Sequence, residues 1–142
     1  MIKSLYFATK LLVGLASKAN STGAADNGTA IDYRSYDQAN SGQVLINVGA
    51  PTGSPTSFSN VYTLQHSADN STWVTAPGAL TSARADATLT VTAAGSYAIP
   101  FEPGHLNRYW RVTRAVTIVG GTTPTVPDGV LVQLGDGRKN PM

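Results

Sequence analysis

From Ile31 to Leu134 the chain is cut into short runs in which apolar and polar residues alternate, and none has the length or the 3.6-residue period of a helix. The runs are Ile31–Tyr36, Gln43–Val48, Asn60–His66, Thr72–Ala76, Ala85–Thr92, Tyr97–Phe101, Arg108–Val119 and Gly129–Leu134. Between them lie stretches such as GAPTGSPTS (49–57), SADNS (67–71), EPGHLN (102–107) and GGTTPTVPD (120–128). Their Gly, Pro, Asn and Asp residues permit positive φ, fix φ, or bond their own backbone, so each stretch favours a chain reversal. About eight short strands without a helical period predict an all-β fold, a single β-sandwich or jelly-roll-like domain. No repeat of 20–50 residues is visible, which excludes solenoids and propellers.

The longest run shows which face is buried. Trp110, Val112, Val116 and Ile118 fall on one side of a strand; Tyr109, Arg111, Thr113, Ala115 and Thr117 fall on the other. Arg114 interrupts the apolar side, so it is expected at a rim or paired with an acid. Ala87, Leu89 and Val91 alternate with Asp86, Thr88, Thr90 and Thr92, the pattern of a half-buried strand. SADN (67–70) reads as a tight hairpin turn rather than a calcium loop, because it offers too few oxygens for that ion.

The first 27 residues do not share this pattern and form an expected N-terminal arm and linker, with the sandwich domain and a short C-terminal tail in residues 28–142. Lys10 splits the apolar opening and leaves only residues 11–16, short of the ~7–15 apolar residues of a secretory signal. No run approaches the ~18–20 apolar residues of a transmembrane helix, so no membrane partner is expected. Ile2, Leu5, Tyr6, Leu12, Val13 and Ala16 share one helical face, but Phe7, Leu11 and Leu15 lie off it, and Gly14 weakens a helix. Two readings stay open for this segment: an arm that docks on a partner, or an edge element packed on its own domain. The polar stretch SKANSTGAADNGT (17–29) reads as a loop.

The chemistry-bearing residues are sparse. The chain of 142 residues has no cysteine, which removes disulfides, thiolate metal sites and a cysteine nucleophile. Its two histidines, His66 and His105, lack metal-ligand spacing, and Glu102 is the sole glutamate. The aspartates fall mostly in expected turns, where the default role is to accept backbone N–H bonds. No nucleophile elbow or phosphate-binding glycine loop occurs. No enzyme activity, metal or cofactor is therefore expected. Charged residues make up 13% of the chain and the net charge is +2, too little to expect nucleic acid as a partner.

Two stretches carry a resemblance. One is VYTLQHSADNSTWVTA (61–76), a strand, a hairpin turn and a strand opening on Trp73. The other is HLNRYWRVTRAVTIVGGTTPTV with VLVQLGDGRKNP, a long strand, a Gly-Gly loop, a last strand and a basic tail. With GTAIDYRSYDQANSGQVLINVGAP (28–51) they resemble the capsid cement, or decoration, proteins of tailed bacteriophages, which have a jelly-roll-like β-sandwich. The resemblance implies a virion protein on the outer capsid surface that binds the major capsid protein, often as a homotrimer, and is assembled in the host cytoplasm. It implies reinforcement of the shell without catalysis. The expected contact residues are Ile2, Leu5, Tyr6, Phe7, Leu11 and Leu12 in the arm, and Arg138 and Lys139 in the tail. The alternatives are another virion component (tail-tube, head-completion or fibre protein) and a carbohydrate-binding β-sandwich. The latter would stack sugars on Trp73, Trp110, Tyr109 or Tyr62, although the core is the expected place for both tryptophans.

Overall fold

The computed structural model describes residues 10–32, 34, 39–77 and 87–136, with only the backbone of Asn40 and Asp136. Among these residues the strands are β1 (Lys10–Asn20), β2 (Ala25–Asn27), β3 (Ile31–Asp32), β4 (Ala39–Val48) and β5 (Ser57–Ser67). They continue with β6 (Val74–Thr75), β7 (Thr88–Val91), β8 (Gly95–Phe101), β9 (Tyr109–Val119) and β10 (Val126–Asp136), with a 3-10 turn at Pro103–His105. Each of the eight expected runs contains a strand.

The strands form two antiparallel sheets packed as a sandwich. One has the order β1-β10-β4-β8; the six-stranded other has the path β2-β9-β5-β6, with β3 also on β9 and β7 also on β5. β2 and β3 follow each other along β9, and β6 and β7 follow each other along β5. The amides of Leu64, Ala76 and Ala87 close the gap between β6 and β7. With each such pair taken as one interrupted strand, the chain switches sheets at nearly every step and returns its last strand beside its first. That is the connectivity of a jelly roll.

The alternation expected for β9 is present: Trp110, Val112, Val116 and Ile118 are buried against the facing sheet, while Ala115, Thr117 and Val119 are exposed. Trp110 meets Phe101 of the other sheet edge-on, with ring centroids 5.3 Å apart. Val44, Ile46, Val48, Ile99, Val130 and Val132 supply the opposing layer. Each such fully buried aliphatic side chain contributes about 1.5–3 kcal/mol of hydrophobic stabilisation.

For the N-terminal segment, residues 10–20 take the edge-element reading. β1 pairs along β10 from Lys10↔Leu134 to Asn20↔Val126, with register shifts after Val13 and after Leu15. The stretch expected as a loop at 17–29 is partly strand as well. It holds the end of β1, a turn in which Ala24 N–H donates to Ser21 O, and then β2 on β9. Three of its polar residues, Lys18, Asn20 and Asp26, belong to an ion network.

That network also corrects the default given to the aspartates. Arg114, 3% exposed, donates through Nε and Nη2 to Asp26 Oδ2 (3.2 and 2.5 Å) and through Nη1 to Asp128 Oδ1. Asp128, expected in a turn, points inward from β10 and also accepts from Tyr62 OH and from Asn20 Nδ2 at 3.0 Å. Lys18 Nζ completes the chain on Asp26 Oδ1 at 2.8 Å. The hydrogen bonds of Lys18 and Arg114 hold the Asp26 carboxyl below the usual carboxylate range, and burial pushes the Tyr62 hydroxyl well up. Two cations and two anions thus bind β1, β2, β9 and β10 together across both sheets. Asp69 does follow the default: it accepts from the amides of Ser71 (2.9 Å) and Thr72 (2.8 Å), which hold its carboxyl far below its ordinary value.

Candidate interaction surface

The register of the four-stranded sheet determines what its outer face presents. Pairing aligns Leu11, Gln133, Gln43 and Pro100 in one row, and Val13, Leu131, Leu45 and Ala98 in the next. Gly129, Asn47 and Ser96 follow in a third. No residue in these rows is ionisable. Leu11 is 58% exposed, Val13 61% and Leu131 40%, so the centre of the face is apolar and open to solvent. Gln43 Nε2 donates to Gln133 Oε1 at 2.5 Å, so these two amides partly satisfy each other.

The third row lowers the floor. Gly129 has no side chain, and it lines a groove of ≈ 810 Å³ together with Val13, Leu45, Leu131, Gly49 and Pro127. Among the described residues no strand pairs with the far side of β1, next to the patch, and there Gly28 packs against the Gly14 carbonyl oxygen.

The outer face of the six-stranded sheet is different. Its middle carries hydroxyls: Thr88, Thr63 and Thr113 align across three strands. At one end stand the aromatic residues. Trp73 is half-buried and not core, contrary to the expectation for both tryptophans. It precedes the two-residue strand β6 at the sheet edge, and the Arg111 guanidinium lies 4.4 Å from its ring centroid. Arg108 lies 4.8 Å from the Tyr109 ring centroid while it grips Asp32 through Nε (3.0 Å) and Nη2 (2.7 Å). Trp110 and Tyr62, the other two stacking candidates, are buried and face no solvent.

Of the expected contact residues, Leu11 lies on the apolar outer face, and Leu12 turns inward to pack against the core. Ile2, Leu5, Tyr6, Phe7, Arg138 and Lys139 lie outside the described residues. Val13, Leu45 and Leu131 were not anticipated as surface residues. Their alternation is the signal of a strand, but alternation alone does not say which of two apolar faces is the core. His66 Nδ1 accepts the Asn107 amide at 3.0 Å, and burial lowers its proton affinity. His105 and Glu102 face each other at 3.5 Å. Among the described residues no three His, Asp or Glu side chains are grouped to hold a metal ion. The sequence matches no protein-family model and no curated protein.

Proposed function

We propose that this protein is a structural component of a phage virion, one that docks on the outer surface of the assembled capsid and ties neighbouring major capsid subunits together. The observation that carries this reading is the charge-free apolar row Val13–Leu131–Leu45 on the outer face of the four-stranded sheet. A lone soluble domain gains nothing from leaving such a face in water, whereas a protein laid on a repeating shell buries it once per copy. An uncharged face is suited to an apolar partner surface, because no carboxylate or ammonium must be stripped of water. Weak contacts repeated over a lattice reinforce it by avidity. Jelly rolls recur among capsid proteins, which supports the reading by analogy of fold, and the resemblance of residues 28–51, 61–76 and 105–141 to cement proteins points the same way. A trimer at three-fold positions, assembled in the host cytoplasm, belongs to the proposal.

The test is electron cryo-imaging of particles carrying the protein. The expected picture is many copies spread over the outside of the shell, with the four-stranded sheet toward the major capsid protein. A handful of copies at a portal, tail or fibre would replace this reading with one of a connector or fibre protein.

A further inference from the structure

Arg111 differs from the arginines beside it. Arg114 is held by Asp26 and Asp128, and Arg108 by Asp32, whereas Arg111 forms no ion pair with any described residue. Its side chain is nevertheless fixed. Nε donates to Gln65 Oε1 at 2.9 Å, and the guanidinium stacks over Trp73 with its carbon 4.4 Å from the ring centroid. These contacts set the plane of the fork without using its two Nη groups, which donate to no described residue.

We infer that Arg111 is a receptor for a carboxylate, supplied by an aspartate or glutamate side chain of a partner protein. A planar guanidinium presents parallel N–H donors that match both oxygens of a carboxylate, and a fork already immobilised loses little freedom on binding. Trp73 contributes twice, because it holds the cation by its π-face and shields the resulting pair from water. Arginine beside Trp and Tyr is also the composition of interface hot spots. An acidic peptide fits better than a sugar: a guanidinium occupies a face of both Trp73 and Tyr109 that a sugar ring would need. The inference rests on the docking proposal only for the identity of the partner, since the carboxylate site is tested without a capsid.

The experiment is a titration of the whole protein with penta-glutamate, following the Arg111 Nε–H and Trp73 indole N–H signals by NMR. Penta-glutamine and sodium chloride at matched ionic strength serve as controls. Saturable shifts at both signals are expected with penta-glutamate alone, and R111K, which keeps the charge but loses the fork, should weaken binding about tenfold. W73L should weaken it as well, with the amide spectrum showing that both variants remain folded. No response up to about 10 mM peptide, an equal response to either control, or unchanged binding in R111K overturns the inference. Tighter binding of polygalacturonate than of penta-glutamate overturns the assignment to an acidic peptide.

Discussion

Replacing Arg114 by Met separates the buried ion network from the hydrophobic packing around it. The Arg114 side chain is 1% exposed and that of Asp128 is 0%, so the R114M protein keeps an apolar stem but leaves a buried carboxylate without a countercharge. Tyr62 OH and the Asn20 and Asn60 amides remain as donors to Asp128, and they do not neutralise it. Removing one partner of a buried pair costs about 3–5 kcal/mol, against a total stability of about 5–15 kcal/mol for a domain. D128L leaves Arg114 paired with the more exposed Asp26, but it strips Tyr62 OH and Arg114 Nη1 of their acceptor, at about 1–3 kcal/mol for each group left unsatisfied, while Asn20 Nδ2 keeps Val126 O and Asn60 Nδ2 keeps Tyr62 OH. The double variant R114M/D128L removes both charges together. Its loss should fall short of the sum of the two single losses by about 2–3 kcal/mol, the coupling expected within one network. Urea unfolding followed by the fluorescence of the buried Trp110 measures all four corners of this cycle. Additivity within about 0.5 kcal/mol, or an R114M cost below about 1 kcal/mol, would refute the claim that the network clamps the sheets.

Two further tests probe other parts of the fold. A Cβ on Gly28 would run into the Gly14 carbonyl oxygen and lie 2.8 Å from that of Val112, both backbone atoms that cannot swing aside. G28A should therefore cost at least about 1–3 kcal/mol and speed hydrogen exchange across residues 10–20, whereas G104A, which meets nothing within 4 Å, should stay within about 0.5 kcal/mol. Because burial lowers the proton affinity of His66 in the fold, the unfolded chain binds more protons just below pH 6.5. Stability should thus decline as the pH drops from about 6.5 toward the folded value, where the Asn107 amide loses its acceptor. H66Q should flatten that part of the pH profile of the urea midpoint; an equal slope in the variant would assign it to another group.

How much was legible in the sequence differs from element to element. β9 and β5 were plain, because each buries alternate residues over most of its length, from Trp110 to Ile118 and from Phe58 to Leu64. β1 was not, and the reason is geometric. Leu11 and Val13 point outward, then the register shift at Gly14 reverses the parity and sends Leu15 inward. A strand with a bulge carries its apolar residues in two phases, which matches neither a helix nor a simple strand. Residues 17–29 misled for a different reason. Lys18, Asn20 and Asp26 have the composition of a loop, but they lie next to Arg114 and Asp128, nearly a hundred residues later in the chain. The anomaly of Arg114 on an apolar strand face was visible, and an acidic partner was one expectation for it; which acids would answer it was not. The outer apolar face was hidden in the same way, since it exists only once β1, β10, β4 and β8 are laid side by side.

A truncation of residues 2–16 would remove seven of the eleven residues of β1. Removing residues 2–9 leaves every described strand intact and isolates what the segment ahead of β1 contributes to a partner.

The most direct measurement is co-sedimentation of purified protein with undecorated capsids, for the wild type and for V13D/L131D. Both substitutions place carboxylates on the outer row without touching the core, so the variant should keep its fold. The wild type should bind saturably and the variant at least about a hundredfold more weakly, the loss of two central contacts worth about 1.4 kcal/mol or more each. Wild-type protein that stays in the supernatant, or a folded variant that binds as tightly as the wild type, would contradict it.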